Sequence, residues 1–161
     1  MQESLTVKDL IKFSDKDYEN TMSLMSELDV LGKEYISLLD KPSPERLEAI
    51  KRQYGGYLTS LATYFAKIKC FKYQGDYLEE QRKRIKSETI QLVVERDHVS
   101  TASAEKTVYS EIYYKERIDL MESLKKFFIR VELKYDRYRD TARDIYQSVS
   151  QQNQERKHSG E

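Results

Sequence analysis

LEAIKRQYGGYLTSLATYFAKIKCFKYQGDYLEEQRKRIKSETIQL, residues 47–92, places a side chain of one kind at alternating steps of three and four. The rungs are Leu47, Ile50, Tyr54, Tyr57, Leu61, Tyr64, Ile68, Phe71, Gly75, Leu78, Arg82, Ile85, Thr89 and Leu92, and eleven of the fourteen are apolar or Tyr. Such steps keep side chains on one side of an α-helix, whereas a strand would need steps of two. Sustained over about six heptads, the pattern predicts a long helix buried along one seam. Two places invite a break. Gly55-Gly56 sits on the ladder's flank, where a kink or a close helix contact is expected, and Gly75 occupies a rung where a bulky side chain should be.

Working outward, KPSPER at 41–46 both ends a preceding helix and starts the ladder, because Pro42 cannot continue a helix, Ser43 can cap one and Pro44 suits a first turn. Upstream, Ser14 with Asp15 and Asp17 opens a helix whose stripe is Leu24, Leu28, Leu31, Tyr35 and Leu38, ending near Asp40. Residues 1–13 read equally as an arm or a short helix. Downstream, Arg96–Lys106 is rich in Ser, Thr and Ala and reads as a turn, although it lacks Gly and Pro. A second ladder follows through Met121, Leu124, Phe128, Val131, Tyr135, Tyr138, Ala142, Ile145 and Val149. Residues 151–161 have no period and are expected to be disordered or frayed.

The fold expected is therefore all-α: a long antiparallel helical hairpin with an additional N-terminal helix, forming one domain over 14–150. The count of breakers agrees, since 161 residues hold only 5 Gly and 2 Pro, and sheet proteins need turns about every 8–12 residues. Such a hairpin encloses little core. Tyr73, Tyr77, Ile112, Tyr113, Phe127 and Ile129 lie off the seams and need cover, which copies of the chain would supply as a homo-oligomer.

Net charge is zero, but residues 1–48 carry 6 Lys/Arg against 11 Asp/Glu, and the remainder 22 against 17. An acidic head precedes a mildly basic body, an asymmetry suited to steering an anionic partner. Cys70, the one cysteine, excludes an intrachain disulfide framework and is compatible with a reducing cytoplasm. No apolar run approaches the roughly 18 residues of a membrane span, and the N-terminus lacks the features of a signal peptide.

Catalytic chemistry is not legible. His98 falls in the turn and His158 in the tail, neither beside a partner motif. Cys70 reads as a small buried residue beside the seam. No His/Cys pair has metal-ligand spacing, and no Walker loop or GxGxxG occurs, so no cofactor and no enzymatic activity are expected.

What remains is Ala66–Ser87, where Lys67, Lys69, Lys72, Arg82, Lys83, Arg84 and Lys86 face only Asp76, Glu79 and Glu80. Binding a single strand needs a cationic track for phosphates and rings for bases. The seven cations supply the first, and Tyr73 is a candidate for the second. Arg82, on a rung, either pairs with an acid from another helix or marks the end of the dry seam. Phe128, Val131, Tyr135, Tyr138, Ile145 and Val149 are the candidate hairpin or subunit seam. The rival reading is a solvated helix face on a protein-protein adaptor, a virion structural subunit or a regulator without nucleic-acid binding.

The order of RKRIKSE before a Ser/Thr/Ala-rich turn, then AEKTVYSEIYYKERIDLMESLKKFF and a C-terminal helix ending RDIYQSVSQ, resembles the UvsY-type recombination mediators of bacteriophages over roughly 57–151. The resemblance implies ring-forming proteins that bind single-stranded DNA and help load a RecA-like recombinase onto strands covered by single-strand-binding protein. It implies a place of action in the cytoplasm of an infected bacterium. By position, it assigns DNA contact to Arg82, Lys83, Arg84 and Lys86.

Overall fold

The computed structural model describes residues 13–73 and 77–160, with the side chains of 71–73 and 77–78 outside the described set. Gly75 and residues 1–12 lie outside it too, so the expected break at Gly75 and the arm at the N-terminus fall beyond the described residues. The described residues are almost all helical and contain no strand. The elements are α1 (Asp15–Leu38), α2 (Pro44–Tyr73), α3 (Tyr77–Asp97), α4 (Thr101–Thr107), a 3-10 turn (Val108–Ser110) and α5 (Ile112–Ser159). They gather into two compact units: residues 15–66 with 130–160, here the α1 unit, and 13–14 with 67–129, the α3 unit.

In the α1 unit, helix α1 buries Thr21, Met25, Leu28, Leu31 and Tyr35; three of the five expected rungs are among them, while Leu24 and Leu38 are half-buried and Met25 takes the inward place expected of Leu24. Asn20 donates to the Tyr64 hydroxyl at 2.9 Å, and at the other end of α1 Glu34 takes both arms of Arg46, so α1 and α2 run in opposite directions. The unit's part of α5 also opposes α2. Asn153 reaches Glu48 at 3.4 Å, while Phe65 stacks on Tyr135 with ring centroids 4.2 Å apart. Ile50, Leu61, Val131 and Ile145 are sealed inside, each contributing about 1.5–3 kcal/mol by leaving water. Gly55 and Gly56 sit in unbroken helix, and a Cβ at either would meet nothing within 4 Å. The helix does not break there and no close contact within the described residues meets the pair, which lies on the solvent side of α2.

In the α3 unit, the buried line along α3 is Gln81, Ile85, Thr89 and Val93. It departs from the expected ladder, in which Arg82 and Leu92 were rungs: Leu92 is exposed and Arg82 is half-exposed. An α-helix has 3.6 residues per turn, so a strict heptad rung lags about 20° per repeat, which lets Val93 take over from Leu92 near the end of the ladder; this drift does not account for Gln81 in place of Arg82. Thr89 tolerates burial because its hydroxyl donates to the Ile85 carbonyl at 2.7 Å. Phe127, expected to need cover from another copy, is buried inside this chain. Phe13 packs edge-on against Phe128 at 5.3 Å and tilted against Phe127 at 6.2 Å.

The turn expected over Arg96–Lys106 contains a helix of its own. His98 ends α3 with φ of 53°, taking the left-handed conformation that Gly usually supplies at this position. The Ser100 hydroxyl then accepts from the Ser103 N–H at 3.3 Å and caps α4, whose Ala104 is fully buried along with Val108 just beyond the helix. Arg96 clamps the corner, donating to Asp97 at 2.7 Å and to Glu111 at 3.0 Å. Cys70, expected beside the seam, is exposed: Ile68 holds the buried position, and two residues further the helix has turned about 200° away. At the other end, α5 continues to Ser159, into the segment expected to be without regular structure, and its side chains there are nearly all exposed.

Candidate nucleic-acid interface

Helix α2 carries Lys67 exposed and Lys69 half-exposed, while the side chains of Lys72 and Tyr73 lie outside the described residues. The remaining four cations all belong to α3. Successive residues on a helix turn by 100°, so Arg82, Lys86, Lys83 and Arg84 stand at about 0°, 40°, 100° and 200° around its axis. They do not form one narrow stripe.

Their surroundings differ. Arg82 pairs with Glu122 of α5, both side chains partly exposed, which is the first of the two outcomes open for an arginine on a rung. Arg84 pairs with Glu88 one turn along at 3.0 Å, and Glu88 also accepts from the Tyr113 hydroxyl at 3.4 Å. Lys86 lies over the Tyr109 ring, 5.4 Å from its centroid. Tyr109 foremost, with lesser help from Glu105, holds the Lys86 ammonium above its ordinary pKa. Lys83 is exposed and makes no ion pair among the described residues. Three of the four cations thus have a partner inside the chain that the local charge count does not contain, because Glu122, Glu88, Glu105 and the uncharged Tyr109 ring lie outside residues 66–87. Pairs as exposed as these are worth about 0–1 kcal/mol and exchange readily.

The six seam residues of α5 face the interior of this chain. Phe128, Val131, Tyr138, Ile145 and Val149 are buried, and Tyr135 is half-buried against Phe65. Tyr138 also carries a polar group inward: its hydroxyl donates to Asp29 at 2.8 Å, with the Met25 carbonyl as a second acceptor at 3.1 Å. Lys134 donates to the other Asp29 oxygen at 2.7 Å. Burial alone would raise the Asp29 pKa, but the bonds from Lys134 and Tyr138 outweigh it and hold the carboxyl below its ordinary value. Burial, then the Asp29 charge, drives the Tyr138 phenol far upward; burial likewise pushes Tyr54, which meets Tyr138 edge-on, to about 12. These groups border a cleft of about 300 Å³ lined from α1, α2 and α5, including Leu28, Gly32, Lys33, Ile36, Arg137 and Thr141.

Sequence reading missed this cluster. One signal was present: a tyrosine on a seam rung needs a partner for its hydroxyl, and Asp29 follows Leu28 directly.

Among the described residues no group of three or more His, Cys, Asp or Glu side chains is placed to hold a metal ion, and no helix is long and apolar enough to cross a membrane. Compared with family models, curated proteins and solved structures, the chain finds no match in any of the three.

Proposed function

We propose that this chain is a non-enzymatic helical protein that binds single-stranded DNA as a homo-oligomer and acts as a recombination mediator, helping a RecA-like recombinase onto strands covered by single-strand-binding protein. The observation that carries the reading is RKRIK on α3: four cations in five residues, with Lys83 exposed and unpaired among the described residues and Arg82 and Arg84 held only by surface pairs. Phosphates can exchange with such partners, because an exposed pair gives up little when a strand replaces one carboxylate. Each subunit grips weakly. A homo-oligomer repeats the segment, and repetition at high effective concentration turns weak contacts into a stable hold.

In this reading α2 and α3 form one arm of a long antiparallel hairpin and α5 the other. Self-association is supported by large apolar side chains left in solvent, Ile112 at 70% exposure and Leu133 at 61%.

The same exposed side chains favour a second reading, an adaptor or structural subunit whose partner is a different protein. Fluorescence anisotropy of a labelled oligonucleotide at two salt concentrations, with light scattering in parallel, separates the two. The mediator reading expects affinity that falls steeply with salt and a particle several times 19.2 kDa. A complex with protein but no oligonucleotide binding at low salt sinks it.

A further inference from the structure

We propose that the cleft between α1 and α5 in the α1 unit is a binding site for a small phosphomonoester. Its charge is unbalanced. Lys33, Lys134 and Arg137 all line it against the single carboxylate of Asp29. Asp29 is already engaged by the Lys134 ammonium at 2.7 Å and the Tyr138 hydroxyl at 2.8 Å. Lys33 and Arg137, one from each helix, are exposed and make no hydrogen bond or ion pair among the described residues. Lys33 also acts on Asp29 through its charge, but three cations against one carboxylate leave the cleft a net charge of +2, which matches a phosphomonoester, about −1.5 to −2 at neutral pH, better than a carboxylate. The guanidinium fork of Arg137 suits two phosphate oxygens at once, and Lys33 adds a mobile point charge.

Shape limits the rest of the ligand. About 300 Å³ is the low end for ligand pockets, so it admits a phosphate and a compact apolar or aromatic body. Ile36, 64% exposed, offers that body a ledge. Gly32 lies on the same wall, within α1, where glycine costs about 1 kcal/mol against Ala. A Cβ there would meet nothing within 4 Å, so internal packing does not demand the glycine, and its bare surface adds width to the cleft.

Titration calorimetry on the full chain tests the site with phenyl phosphate as probe and benzoate as a monoanion of similar outline. Saturable phenyl phosphate binding is expected, with benzoate at least about tenfold weaker. Lys33→Gln and Arg137→Gln are each expected to weaken phenyl phosphate about tenfold or more. Gly32→Leu should abolish binding while its melting temperature holds or rises, because the added side chain fills the cleft and glycine leaves the helix. Absence of saturation, benzoate binding as tightly, or full affinity in Gly32→Leu overturns the proposal. Should Gly32→Leu fail to fold, the two glutamine variants decide the matter. A phosphoserine peptide binding more tightly than phenyl phosphate would overturn the small-molecule assignment.

Discussion

The Tyr138 hydroxyl lies 2.8 Å from an Asp29 carboxylate oxygen, joining α5 to α1 across 109 residues of sequence. A buried phenol and a half-buried acid satisfy one another there, and removing either leaves the other short of a partner. Tyr138→Phe keeps the ring against Tyr54 and deletes only the donor. A loss of about 1–1.5 kcal/mol is expected in urea denaturation followed by circular dichroism. No change would mean that the hydroxyl exchanges one acceptor for water at no cost.

Asp29 also sets an acid response. Its folded pKa is depressed, so the stability it adds is present above its unfolded value of about 3.9 and is lost as pH falls through the lower folded value. Its side chain is 43% exposed, so solvent screening keeps the effect small. Denaturation midpoints of the parent should therefore decline below pH 4 more steeply than those of Asp29→Asn. Parallel curves for the two proteins would remove Asp29 from the acid response.

Gly55→Ala and Gly56→Ala should each stabilise the protein by about 0.5–1 kcal/mol. Both positions are exposed in continuous helix with open space around a Cβ. Thermal melts of the single variants and the pair provide the check; destabilisation would reveal a close approach made outside this chain.

Glu122→Gln and Glu88→Gln free Arg82 and Arg84 from their partners without touching a cation. On the mediator reading both variants bind a labelled oligonucleotide more tightly than the parent at low salt, and Lys83→Ala binds more weakly. The slope of log K against log salt should change by about 0.7 for each phosphate that the interface adds or gives up. Unchanged anisotropy curves across the three would place the DNA-binding surface elsewhere.

Phe13→Ala should cost about 3 kcal/mol, because a nearly inaccessible ring on Phe127 and Phe128 leaves a cavity when truncated. Hydrogen exchange of α3 and of residues 112–129 reports it locally. Protection equal to the parent's would mean that Phe13 is a passenger on that core.

The all-helical character followed from sequence alone. Scarce Gly and Pro and two long runs of three-and-four steps leave helix as the one geometry that buries those rungs together. The α5 ladder is the clearest instance. Met121, Leu124, Val131, Ile145 and Val149 occupy the interior as their spacing requires, since helical periodicity is a local property. The Arg84–Glu88 pair lies within RKRIKSE, but the state of Arg82 and Lys86 was decided elsewhere: Glu122 pairs with the first, Tyr109 and Glu105 hold the second, and no count within RKRIKSE contains those residues. The handover from Leu92 to Val93 and the Asp29–Tyr138–Lys134 cluster likewise needed the tertiary structure. A helix's phase against its neighbours and the meeting of side chains a hundred residues apart are set by packing, which no local pattern encodes.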